Sequence, residues 1–123
     1  MQRGFAIPGN AKPGWITMAN FLLLYSGGKM PESPAEQAAI LKDWETWMGG
    51  LGKALVDGGN PFTPTAKSIA SDGKVSDGPI GAMASGYSVV QADSLNAAVQ
   101  ATKGCPVLKS GGKITVYETF NVM

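Results

Sequence analysis

A carboxylate held in a stiff turn is the first place in this chain where chemistry could be done. In Ser76-Asp77-Gly78-Pro79, the proline restricts the backbone of Gly78 and so holds Asp77 in place. With its pKa raised by burial, Asp77 could serve as a general base. The same residues also read as ordinary turn chemistry, in which the Asp oxygens accept bonds from backbone amides two residues on. Tyr25 and Tyr87 could present hydroxyls at the lip of a cleft, or simply pack as strand aromatics. Asp77, Gly78, Pro79, Tyr25 and Tyr87 form the candidate ligand-binding set, and Asp77 is the candidate catalytic residue.

Other reactive residue types are constrained by what is missing. The chain has no histidine. That removes Ser-His and Cys-His nucleophile pairs and the commonest transition-metal ligand. Cys105, just before Pro106, could be a nucleophile only if Lys103 or Lys109 lowered its pKa; a lone cysteine at a helix end is otherwise a small buried hydrophobe. Gly27-Gly28-Lys29 and Gly111-Gly112-Lys113 mimic the end of a phosphate loop. Neither has the earlier glycine at the required spacing or a Ser/Thr after the lysine, so both read as loops. No metal site and no cofactor are expected.

The elements that must position these residues are legible from pattern. Phe21, Leu22, Leu23, Leu24 and Tyr25 make an unbroken apolar strand, which needs cover on both faces. Helices of a small single-sheet domain cover one face, so a second copy of the sheet is expected on the other. Ser33, Pro34 and Glu36 form a helix start with a capping box. Ile40, Leu41, Trp44, Trp47, Met48, Leu51 and Leu55 follow at helical spacing, and Gly58-Gly59 ends the run. One helix is expected throughout, bent or closely approached at Gly49, Gly50 and Gly52; Trp44 and Trp47 read as core.

Asp72-Gly73 predicts a two-residue type I′ hairpin between residues 67–71 and a strand from Lys74 onward. Lys67 and Lys74 flank it, where edge lysines deter sheet-to-sheet association. Asn60-Pro61-Phe62-Thr63-Pro64 is a stiff connection that cannot lie in a central strand. A strand from Gly86 to Ala92 leads through Asp93-Ser94 into a second helix, with Leu95, Ala98, Val99 and Thr102 facing inward and Pro106 as its stop. A last strand runs from Lys113 to Glu118. The order is β-α-β-β-α-β, the ferredoxin-like arrangement of the α+β class.

The string from the Asp77-Gly78-Pro79-Ile80 tetrapeptide through the strand, helix and final strand resembles the YCII-related family, in the branch named for its DGPF motif. The resemblance spans roughly residues 19–122 and implies a ferredoxin-like fold paired as a dimeric α+β barrel, with a site in a cleft between helix and sheet near the turn. Two departures stand out. Family members proper pair a histidine with an aspartate, which this chain cannot do. Many in the branch follow the motif with charged residues, where this chain has Gly81-Ala82-Met83-Ala84-Ser85. Residues 1–18 read as an N-terminal extension and 19–123 as the domain.

Composition narrows the function classes. Charged residues make up 15% of the chain against 44% hydrophobic, which favours a surface partly covered by self-association. Net charge is +1 and Arg3 is its arginine, so nucleic-acid recognition through arginine forks has little support. No apolar run is long enough to span a bilayer, and a single cysteine fits a reducing cytoplasm. The expected function is a cytoplasmic homodimer that binds a small molecule. One alternative is a cofactor-independent isomerase- or lyase-like enzyme with Asp77 as base; another is an accessory protein without a ligand.

Overall fold

The computed structural model describes residues 18–120. The N-terminal extension expected from the sequence thus lies, apart from Met18, outside the described residues. The chain is an α+β domain with two sheets. Its main sheet is antiparallel and four-stranded, in the order β2 (Leu55–Asp57), β5 (Ala84–Ala92), β1 (Ala19–Ser26), β6 (Lys113–Glu118). Helix α1 (Pro34–Leu51) follows β1; α2 (Leu95–Thr102) and the single turn α3 (Pro106–Lys109) lie between β5 and β6. Strands β3 (Lys67–Ile69) and β4 (Val75–Asp77) form a separate two-stranded hairpin.

Strand β1 occupies the centre, as its apolar run demands. Register pairs Phe21 with Val90 and Glu118, Leu23 with Ser88 and Val116, and Tyr25 with Gly86 and Ile114. Phe21, Leu23, Tyr25 and Val90 are buried together with Ala98, Cys105 and Val107, with Trp44, Trp47 and Leu51 packed against them. Alternation sends Leu22, Leu24, Tyr87 and Val89 to the opposite face, where all four are half-buried. Tyr117, opposite Leu22 in register, flanks them there, 50% exposed. Among the described residues no helix packs on that face, and the helices cover the strand from the other side.

Helix α1 starts as the sequence predicts. Ser33 is extended and its Oγ accepts from the Glu36 N–H at 3.1 Å. The return bond from Glu36 goes one residue further back: Oε1 accepts from the Glu32 N–H at 2.8 Å. The helix ends earlier than expected. Gly52 turns to φ +57° and closes it at Leu51; a single 3-10 turn (Gly52–Ala54) then feeds β2. The apolar periodicity ran on across this break because Leu55 packs on the same core from a strand. Gly49 and Gly50 have open space where a Cβ would stand, so no close approach explains them.

The hairpin also departs from expectation. In chain order the second and third strands of the main sheet are β2 and β5, and the β3–β4 pair stands apart from it. Its loop spans residues 71–73: Ala70 N–H donates to the Lys74 carbonyl and Gly73 N–H to the Ala70 carbonyl. Gly73 has φ +91°, but Asp72 does not enter the left-handed region, so this is no type I′ turn. Asp72 instead accepts from the Lys74 N–H at 2.9 Å.

Ser94 caps α2, accepting from Ala97 N–H at 3.0 Å. Ala98 and Thr102 are buried, whereas Leu95 is 43% exposed. Pro106 opens α3 rather than stopping α2, taking the first helical position where its missing N–H costs nothing.

Replacing Ser33 with alanine should lower the unfolding free energy by about 1 kcal/mol in urea titrations, since one helix-end donor loses its acceptor. A larger loss is expected for Gly59→Ala. A Cβ there would sit 1.7 Å from the Tyr87 carbonyl oxygen at a φ of +72°, so a cost of roughly 3 kcal/mol or more should appear in the same titration.

Candidate functional site

Between α1 and the sheet lies a cleft of about 290 Å³. Its floor is Tyr25 of β1, beside Gly86 of β5; α1 contributes Leu41, Trp44 and Met48, and Val107 closes one end. The far wall is the segment 58–61. This segment runs along the edge of β5: Phe62 N–H donates to the Ser85 carbonyl, Tyr87 N–H donates to the Asn60 carbonyl, and Pro61 bridges Gly86. Gly86 permits the crossing, because a Cβ would stand 3.1 Å from the Asn60 oxygen. No residue of α1 is fully buried. The helix stands off the sheet, which is what leaves the cleft open.

A buried polar chain fixes this wall. The Tyr25 hydroxyl donates to Ser88 Oγ at 2.7 Å, and Ser88 Oγ donates to the Gly58 carbonyl at 2.8 Å. Tyr25 is 5% exposed and Ser88 fully buried. The Cys105 thiol lies beside the Tyr25 hydroxyl. Burial pushes the pKa of both groups above their ordinary values; the bond to Ser88 opposes this at Tyr25 without reversing it. Both therefore stay protonated and neutral at neutral pH, and the Tyr25 hydroxyl acts as a neutral donor. Cys105 is 1% exposed and its thiol is held up, so it is not poised as a nucleophile.

The aromatic walls have distinct jobs. Trp44 meets Tyr25 edge-on at 5.6 Å between ring centroids and meets Trp47 at 5.7 Å. Trp47 is anchored by its Nε1–H, which donates to the Ala101 carbonyl at 3.0 Å and so ties α1 to α2. Trp47 is thus core, as expected, whereas Trp44 lines the cleft.

The candidate residues named from the sequence fall into two groups. Tyr25 and Tyr87 both line the cleft, but alternation puts their side chains on opposite faces of the sheet. Tyr87 turns to the helix-free face, where Phe62 stacks on it at 5.9 Å. Asp77, Gly78 and Pro79 belong to the hairpin and its exit and do not line this cleft. Asp77 is exposed, directly opposite Lys67 in register, and its Oδ1 takes the Lys67 ammonium at 2.5 Å. Its expected bonds to amides two residues on are made elsewhere in the chain, by Asp57 to Gly59 N–H and Asp72 to Lys74 N–H. Gly78, at φ +90°, donates its N–H to Ala66 and accepts from Ser68 Oγ, closing the hairpin's base.

Sequence reasoning missed Trp44, Met48 and the 58–61 wall. The available signal was the width of the α1 apolar stripe, broader than a short domain can cover from one side.

The raised pKa values carry a sign. A group protonated and neutral in the fold, with its pKa pushed up, adds stability that is complete at low pH and is lost as alkali ionises it in the unfolded chain. Stability should be flat below about pH 8.5, then fall through the ordinary range of the thiol and, from about pH 10, of the phenol. Tyr25→Phe should flatten the upper part of that fall and cost about 1 kcal/mol at pH 7. Urea midpoints measured from pH 7 to 11 on both proteins check this.

A scan against protein-family models finds no match to the chain, and a search of curated proteins finds none.

Proposed function

We propose that this chain is a homodimeric binding protein of YCII-related type, which holds a small, largely apolar molecule in the cleft between α1 and the sheet. The observation that carries the reading is the lining of that cleft. Tyr25, Leu41, Trp44, Met48, Pro61 and Val107 surround a volume of about 290 Å³ without a carboxylate or an ammonium among them. An apolar cavity near the lower end of the ligand-pocket range suits retention by packing; acid-base turnover needs a titrating group aimed at the substrate. Asp77, the candidate base, spends its charge on Lys67.

The sheet order β2-β5-β1-β6 supports a ferredoxin-like β-α-β-β-α-β topology in which β2 and β5 are the second and third strands in chain order and the β3–β4 hairpin is an insertion. Dimerisation is supported by the sheet face turned away from the helices, where Leu22, Leu24, Val89 and Tyr117 form an apolar surface. Hairpin residues Ile69 and Val75, paired in register and 68% and 59% exposed, add to the apolar surface in need of cover. Among the described residues no helix is long and apolar enough to cross a membrane. We place the protein in the cytoplasm, where its lone buried thiol stays reduced.

Native mass spectrometry of the purified chain tests both parts at once. The expected spectrum shows a dimer carrying a small adduct that leaves on activation, and Leu24→Lys should shift the mass to a monomer. A wild-type monomer would overturn the dimer. A protein that carries no adduct, and whose tryptophan emission is unchanged by a panel of small aromatic compounds, would leave the accessory role instead.

A further inference from the structure

A second cleft, of about 310 Å³, adjoins the first, and Trp44 and Val107 line both. Their chemistry differs sharply. The second cleft has Lys29, Asp43 and Lys109 on its walls, whereas the first has neither carboxylate nor ammonium. Asp43 stands on α1 immediately before Trp44, Lys109 ends α3, and both line the cleft. These two opposite charges face one cleft, yet neither is in an ion pair among the described residues. Lys29 is already engaged, weakly, with Glu32 at 3.9 Å on an exposed surface. The cleft thus takes an unpaired carboxylate from α1 and an unpaired ammonium from α3, with an aromatic and aliphatic recess beside it.

We propose that the molecule bound is a zwitterion with an apolar side chain, of the α-amino-acid class. Its ammonium would meet Asp43 and its carboxylate Lys109, while its side chain passes Trp44 into the recess floored by Tyr25. A ligand with a charge of one sign would satisfy one wall and leave the other unmatched; a zwitterion matches both without changing the net charge of the cleft. Few polar groups fixing the orientation of a mostly apolar body is the usual pattern of small-molecule sites. The Trp44 ring carries the junction, its neighbours Tyr25 and Trp47 holding it edge-on from two directions.

This assignment rests on the α1–sheet cleft being a binding site, and the test separates the two. Titration calorimetry on the full chain uses four probes: L-phenylalanine, phenethylamine (no carboxylate), 3-phenylpropanoate (no ammonium) and ethylbenzene (neither). L-Phenylalanine should bind about tenfold tighter than either singly charged analogue. Lys109→Gln and Asp43→Asn change groups that make no structural bond among the described residues, so both should fold. Each should remove that advantage, Lys109→Gln bringing L-phenylalanine to the level of phenethylamine and Asp43→Asn to that of 3-phenylpropanoate. Equal binding of all four probes, unmoved by either substitution, would overturn the zwitterion while leaving an apolar binding site in place. Tightest binding by one of the singly charged analogues would overturn it in favour of a simple ion site. Binding by none of the four, with no adduct in the native spectrum, would bring down the binding reading as well.

Discussion

Everything in this domain depends on a strand that cannot sit at an edge. Phe21, Leu23 and Tyr25 are buried away from water, so the backbone groups of this strand must be satisfied by neighbours on both sides. Strands β5 and β6 supply them, antiparallel, and the register then decides every face. Phe21, Leu23 and Tyr25 turn towards the helices; Leu22 and Leu24 turn away. Because side chains alternate with a period of two, the same pairing that builds the core creates a second apolar face. Core and candidate interface are two consequences of one constraint.

The polar chain Tyr25–Ser88–Gly58 does for the cleft what β1 does for the sheet. A serine at the fully buried centre of a small core would be a liability if its hydroxyl lacked partners. Here it is satisfied in both directions, and satisfying it clamps the chain after β2 onto β5. The cleft therefore has a rigid floor and one rigid wall. Its third side, α1, is held at its end by the Trp47 bond to Ala101 and lies over the sheet without burying a residue fully. A fixed floor under a helix standing off it suits shape-based retention of a ligand.

The hairpin illustrates how a stiff turn can mislead. Asp77 is restrained, but by a cross-strand partner in solvent rather than by a site. Opposite charges directly facing on a short antiparallel pair stabilise it modestly, and an isolated two-stranded hairpin needs such help. Restraint of the backbone and delivery of a carboxylate to a cleft are separate properties. The first follows from Gly78-Pro79; the second depends on where the hairpin lies relative to the sheet.

The sequence by itself determined the class of the domain, the all-apolar central strand, the start of α1 at Ser33, the start of α2 after Asp93-Ser94 and the position of the last strand. These rest on contacts within a few residues, such as capping bonds and alternation, which local chemistry dictates. It also marked Tyr25 as a cleft residue and Trp47 as core. The tertiary structure alone decided that Leu55 leaves the helix for a strand, because Gly52 is as compatible with a helical bend as with a helical end until β5 offers an edge to pair with. It likewise decided that the β3–β4 hairpin stands outside the main sheet, and that Trp44, Asp43 and Lys109 share an opening although Lys109 is far from the other two in sequence. Long-range pairing and the stand-off of a helix have no local signature. They arise from which surfaces remain uncovered once the central strand has found its neighbours.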